Sequence, residues 1–215
     1  MTGIGRDTRG LYHSRIQIRN VYIINNHILK EVYIKGHAAS VQRLRQLKPE
    51  FIEFYDICEI PATTSLSNII QHYSKSPAQT SQILLKIKDL PLDFFNLGTG
   101  EVLLFHGTPR SNVPSILKQG FKAEKNTRPM YGKGTYLTDS SQKADQYTDK
   151  FGPGMNTGLT MFLVRAALGR TLSEVFGILE QCDTIVDGER KLFKKFVVKK
   201  DECLLPQLLI EYDRV

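Results

Sequence analysis

The sequence predicts an α+β fold: a mixed, antiparallel-rich sheet with few helices. Three observations carry that expectation. Short β-branched, aromatic or apolar runs recur along the chain, at least five of them with the character of strands. The helical patterns between them are few and short, so strands and helices do not alternate as they do in parallel βαβ proteins. No G-x-G-x-x-G lies between a strand and a helix, which removes the dinucleotide-binding Rossmann reading.

In chain order, residues 1–14 read as a polar lead-in. Ile16 to Ile24 partly alternates and is β-branched, which favours a strand, and Asn25-Asn26 breaks it. His27 to Lys35 fits helix or strand. Ala38 to Leu47 places Val41, Leu44 and Leu47 on one face with arginines between, an amphipathic helix stopped before Pro49. Phe51 to Ile57 is aromatic and fits either state. Leu66 to Tyr73 reads as a helix capped by Thr64 or Ser65, and Ile83 to Ile87 as a short apolar element. Beyond Gly100 the signals sharpen. Val102–Phe105 is a strand, and Pro114 to Gln119 a short helix ended by Gly120. Tyr131 to Thr138 is a glycine turn entering a strand. Ser140 to Tyr147 is a helix opened by serine, Phe151 to Gly158 a loop, and Thr160 to Gly169 a strand buried on both faces. Phe193–Val198 and Leu208–Tyr212 complete the sheet.

Composition narrows the partners. With 215 residues, 41% hydrophobic and 24% charged, the chain suits one globular domain over residues 1–215. The net charge of +7 suits a ligand or partner bearing phosphates, although the basic residues are spread out, densest at Arg190 to Lys195 and Lys199-Lys200. Cys58, Cys182 and Cys203 show no C-x-x-C spacing and no nearby histidine cluster. Neither a metal site nor a disulfide framework is expected, and a reducing compartment is. No run approaches the ~18 apolar residues of a membrane span, so an intracellular chain, cytoplasmic or nuclear, with no membrane partner is the expectation.

Two blocks carry the chemistry. Leu103-Leu104-Phe105 ends abruptly in His106-Gly107-Thr108, a strand delivering a histidine and a glycine to a sheet edge or cleft. Gly132-Lys133-Gly134-Thr135-Tyr136-Leu137 brackets a lysine with glycines, which permit a tight turn and a close backbone approach to a ligand. Further on stand Ser140 to Tyr147, the apolar run Met161–Leu168, Ile185-Val186-Asp187-Gly188-Glu189, Lys195-Phe196-Val197-Val198, and Leu205-Pro206-Gln207-Leu208-Leu209-Ile210-Glu211-Tyr212. In this order and spacing the blocks resemble the catalytic domain of the poly(ADP-ribose) polymerase family, within the diphtheria-toxin-like ADP-ribosyltransferase superfamily. Arg15 to Tyr33 more faintly resembles the strand and helix that open the tankyrase-like catalytic domain. Residues 101–215 form the motif core, and residues 38–100 a divergent or inserted segment.

The resemblance implies an ADP-ribosyltransferase fold, a split and bent antiparallel-rich sheet with flanking short helices and an NAD cleft between its halves. It implies NAD as substrate, no metal, and a protein acceptor (possibly the chain itself) or a nucleic-acid acceptor. His106 matches the histidine that bonds the adenosine-side ribose, and Gly107 the glycine whose backbone holds the carboxamide. Tyr136 matches the middle member of a His-Tyr-Glu triad, and Tyr147 the aromatic that stacks on nicotinamide. Thr108 and Gly134 stand beside these as cofactor-binding positions. Two positions depart from the pattern. Ala144 replaces a serine that bonds the carboxamide oxygen, a loss of roughly 0.5–1.5 kcal/mol. Lys195 replaces the catalytic glutamate. A cation there opposes the positive charge that develops as nicotinamide leaves, by about 4 kcal/mol at ~4 Å and an effective dielectric of ~20. Glu189, six residues upstream, and Glu202, seven downstream, are within reach of the site, but strand geometry puts neither at that position. Transfer of a single ADP-ribose, not a polymer, is therefore the expected activity. The alternative is a catalytically inactive domain that binds NAD, ADP-ribose or a protein partner.

Overall fold

The computed structural model describes residues 16–45, 97–126, 130–148, 156–173, 182–187 and 194–215. Eight strands make one sheet: β1 (Ile16–Ile23), β2 (Glu101–Gly107), β3 (Thr135–Thr138), β4 (Leu159–Ala167), β5 (Thr171–Ser173), β6 (Thr184–Asp187), β7 (Lys195–Val198) and β8 (Leu204–Arg214). Their spatial order is β1-β8-β4-β2-β3-β7-β6-β5. Every pairing is antiparallel except β5 with β6, so the expected α+β, antiparallel-rich sheet is present.

The sheet is split. β2 runs against β4 over seven register pairs, but meets β3 at one pair only, Phe105 with Thr138. Two half-sheets, β1-β8-β4-β2 and β3-β7-β6-β5, thus part beyond that pair. The divergence opens a space where β2 ends.

Side-chain alternation distributes the core to both faces. Along β2, Val102 and Leu104 pack with Phe162 and Val164 of β4 on one side. Leu103 and Phe105 pack with Met161 and Leu163 on the other. Nearly all of β4 is buried, as expected of a strand covered on both faces. In β8 the alternation changes phase. Leu204 and Leu209 face the first cluster, whereas Leu208, Ile210 and Tyr212 face the second. The cause is a register shift at Leu163/Val164, where Gln207 has no partner on β4, and a one-residue bulge exchanges the two faces.

Helix α1 (His27–Arg45) covers the first cluster. It begins eleven residues before the Ala38 start that the hydrophobic pattern indicates, and the ambiguous stretch from His27 is its first half. The inward stripe explains the discrepancy: Tyr33, Gly36 and Ser40 are buried while Ile28, Val32 and Ile34 are exposed. Tyr33 donates to Glu101 Oε1 at 2.5 Å, tying the helix to β2, and burial pushes its phenol well above its ordinary range. Gly36 lies against the carbonyl of Glu202, where a Cβ would overlap. Cys203, buried beside it, donates to the Gly36 carbonyl, and burial pushes its thiol up to about 11.

Two short helices flank the sheet, α2 (Val113–Gln119) and α3 (Ser141–Asp145). Pro114 near the start of α2 and Gly120 at φ +72° after it set its limits. Ser140 caps α3, its hydroxyl accepting from Lys143 N, and the helix ends before Tyr147 and not at it. The strand at 193–198 is observed from Lys195, and β8 extends beyond the expected 208–212 at both ends. β5 and β6 carry no signal long enough to have announced them. The readings at 51–57, 66–73 and 83–87 fall outside the described residues. Among the described residues no helix is long and apolar enough to cross a membrane.

Candidate functional site

A cleft of about 480 Å³ occupies the divergence between the half-sheets. The end of β2, α2, the segment that follows it, the glycine turn before β3, α3 and the first residue of β7 all line it. His106, Gly107, Thr108, Gly134, Tyr136, Ala144, Tyr147 and Lys195, spread over ninety positions of sequence, all reach this one space.

His106 stands one residue past the last β2–β3 ladder pair. Its Nδ1–H donates to the Tyr136 carbonyl at 2.9 Å, bridging the half-sheets. Its ring meets Phe121 edge-on at 4.9 Å between centroids, and Phe121 in turn packs on Phe162 in the core. Burial holds the imidazole below its ordinary value, against the opposing effect of the Tyr136 carbonyl. The ring is therefore neutral near pH 7 and Nε2 is its lone-pair acceptor.

Gly107 is required by contact. A Cβ there would overlap the Ala144 carbonyl at the end of α3, so the two backbones touch only because the side chain is absent. Thr108 accepts from Asn112 Nδ2 at 3.0 Å, and its carbonyl accepts from Thr160 Oγ1 at 3.1 Å, which fixes the chain as it leaves β2. Gly134 is likewise confined: a Cβ would come within 2.6 Å of Val197 Cγ1.

The glycine turn closes on Tyr136. Tyr131 N–H donates to the Tyr136 hydroxyl at 2.7 Å, and that hydroxyl donates to the Gly132 carbonyl at 3.1 Å, with Gly132 at φ +85°. Burial raises the Tyr136 phenol above its ordinary range. The ring walls the cleft while the hydroxyl holds the turn. Lys133, between the glycines, is exposed and does not line the cleft.

Lys195 opens β7 opposite Asp187 of β6, in direct register. Their Nζ and Oδ2 lie 3.5 Å apart, and the same Oδ2 accepts from the Tyr131 hydroxyl at 2.8 Å. Asp187 is buried at 2% exposure and does not line the cleft, whereas Tyr131 and Lys195 do. Glu202 sits in a turn against α1, away from the cleft, and Glu189 lies outside the described residues.

Tyr147 follows α3 and is 42% exposed, and Lys143 Nζ stands 5.5 Å from its ring centroid. The end of α3 is held from behind. Asp145 accepts from Tyr212 OH at 2.5 Å and from Arg214 Nε at 3.0 Å, and is 1% exposed.

Sequence reasoning did not single out Tyr131, Lys143, Phe121 or Asp187 as site residues. The first two lie inside or beside the quoted motifs. Asp187 gains its place only through the β6–β7 register, which the sequence does not display. Among the described residues, no group of three or more His, Cys, Asp or Glu side chains is placed to hold a metal ion.

Comparison with known proteins adds two findings. The family model described as the poly(ADP-ribose) polymerase catalytic domain matches residues 8–212. A relative, Poly [ADP-ribose] polymerase tankyrase of Caenorhabditis elegans, is 39% identical over 79 residues, 34% of this chain. The aligned part is 3% of that relative's own length.

Proposed function

Because the chain belongs to the poly(ADP-ribose) polymerase catalytic domain family, we propose that it transfers ADP-ribose from NAD to an acceptor and releases nicotinamide, one unit at a time. The observation that carries this reading is the convergence of His106, Gly107, Tyr136 and Tyr147 on one cleft.

In this reading Nε2 of neutral His106 accepts from a hydroxyl of the adenosine-side ribose. The Gly107 backbone offers a paired donor and acceptor to the carboxamide. Gly107 carries no side chain to intrude, the place of a Cβ being taken by the Ala144 carbonyl. The ring of Tyr147, an exposed residue, receives the nicotinamide face. Thr108 and Gly134 complete the walls, and the bonds around Tyr136 keep the glycine turn in shape. In the transfer, the bond between ribose C1′ and the ring nitrogen breaks, and its electron pair neutralises the pyridinium. The acceptor oxygen bonds to C1′: an ionised carboxylate does so with no proton to lose, and a hydroxyl passes its proton to a carboxylate that the acceptor itself brings.

Lys195 sets the limit of that chemistry. Where a carboxylate would steady the developing cation and activate an elongating hydroxyl, an ammonium does neither. The acceptor must then bring its own carboxylate, and one modification ends the reaction. The second reading, a domain that binds NAD without turnover, rests on the same Lys195–Asp187 pair.

Incubation with labelled NAD tests both. Wild-type protein is expected to acquire discrete label, lost in His106→Ala, while Lys195→Glu is expected to show ladders. Equal labelling of wild type and His106→Ala would overturn the site assignment. NAD binding without label would leave the binding domain.

A further inference from the structure

The cleft wall beside His106 is one short segment that runs outside the sheet. Phe121 is buried with its ring edge-on to His106, and Lys122, Lys125 and Asn126 follow it along the cleft. The segment leaves the core at Phe121 and turns once over Ala123–Lys125. The first N–H of such a turn finds no partner within it. Here that N–H belongs to Ala123, and Asp201 accepts it through Oδ1 at 2.8 Å from 78 positions further along the chain.

Asp201 itself stands outside the cleft lining. It opens the turn Asp201–Cys203 between β7 and β8, and that turn is fastened from behind. Cys203 donates to the Gly36 carbonyl of α1, and Lys200, just before the turn, pairs with Asp183 at 2.9 Å. The other oxygen of Asp201 lies 3.6 Å from Lys122 Nζ, with the two side chains 30% and 37% exposed. A pair so exposed contributes little, so the bond to the Ala123 backbone is the one that fixes the wall. The opposite end of the cleft has its own support, since Gly107 meets Ala144 and Asp145 fastens α3 to Tyr212 and Arg214.

We propose that Asp201 is a positioning residue for the adenosine end of the bound dinucleotide, acting through Ala123 and the wall around it. This rests on the reading above in one respect, that His106 takes the adenosine-side ribose and Tyr147 the nicotinamide. It deepens that reading by giving the two ends of the cleft separate supports, one reaching back to α1 and the other to β8.

Calorimetric titration of the full chain with ADP-ribose and with nicotinamide tests the proposal. In Asp201→Ala, ADP-ribose is expected to bind about three- to tenfold more weakly, the worth of one hydrogen bond, while nicotinamide binds as in wild type. Asp201→Asn keeps an oxygen for the Ala123 N–H and is expected to restore most of the loss. Ala123→Pro removes the donor, leaves Asp201 in place and is expected to weaken ADP-ribose alike, so the bond is tested even where Asp201→Ala does not fold. A merely structural role would weaken both ligands together, and that outcome overturns the proposal. Wild-type affinity for ADP-ribose in Asp201→Ala or Ala123→Pro overturns it as well, and so does Asp201→Asn binding as weakly as Asp201→Ala. Each of these leaves the transferase reading standing. Wild-type protein that binds neither ligand would sink that reading and the proposal with it.

Discussion

Gly107 shows how one missing side chain joins two elements. Because a Cβ there would overlap the Ala144 carbonyl, Gly107→Ala must push α3 away from β2. The expected cost is about 1–3 kcal/mol, as for overpacking elsewhere, with loss of NAD-type ligand binding. Thermal unfolding and titration of the variant measure the two effects; unimpaired binding would remove Gly107 from the site. His106 carries the residue-scale pH dependence. Burial holds its folded pKa below the ordinary 6.5. Between that depressed value and 6.5 the unfolded chain binds the proton and the folded chain does not. Stability is therefore complete above 6.5, falls as pH drops through the window, and levels off below the folded pKa. Urea midpoints from about pH 5 to about pH 7.5 are expected to show this slope, and His106→Asn to flatten it. An equal slope in both proteins would place the dependence elsewhere.

Among the elements, α3 is the one whose position the cleft most needs, and a buried cluster behind it supplies that position. Asp145, at 1% exposure, is bonded by Tyr212 and Arg214 from the end of β8. Arg214→Met leaves a buried carboxylate without its cation and is expected to cost about 3–5 kcal/mol in denaturant unfolding. A change below about 1 kcal/mol would show that the carboxylate does not depend on the Arg214 cation. The same elements show what the sequence could and could not convey. β2 and β4 announce themselves because apolar runs coincide with burial, and β1 through its β-branched residues although only Ile16 and Ile18 of it are buried. α1 is legible only in its second half, since its inward stripe is built from Tyr33, Gly36 and Ser40 and its apolar residues Ile28, Val32 and Ile34 face outward. β5 spans three residues, too few for any periodicity, and the bulge at Gln207 breaks the alternation of β8. For the site, an abrupt His-Gly after an apolar run and the glycine spacing mark His106, Gly107, Gly134 and Tyr136, whereas Ala144, Tyr147 and Lys195 are named only through the family resemblance. The pairing of Lys195 with Asp187 depends on strand register, and the bond from Ala123 to Asp201 on a contact across 78 positions. Neither is written in local sequence.

Over the whole molecule, the single Phe105–Thr138 pair makes the sheet two mechanical units. The half containing β4 and β8 has long ladders and a core on both faces, whereas β3, β6 and β7 are four residues each. Native-state hydrogen exchange is expected to show amides of Thr184–Asp187 and Lys195–Val198 opening at lower denaturant than those of Leu159–Ala167 and Leu204–Arg214. Simultaneous loss of protection in both groups would show the join to be as strong as the ladders beside it. The position of β8 has a further consequence for synthesis. Among the described strands β1 pairs with β8 alone, and Arg19 bonds Asp213 across 194 positions. A ribosome adding about 5–20 residues each second takes roughly 10–40 s to cover that interval. Throughout it nascent β1 lacks the strand neighbour that the described residues give it, and β4, once made, has one open side until β8 follows. Because the strand between β1 and β4 follows both in the chain, this half of the sheet closes only once β8 has emerged from the ribosome.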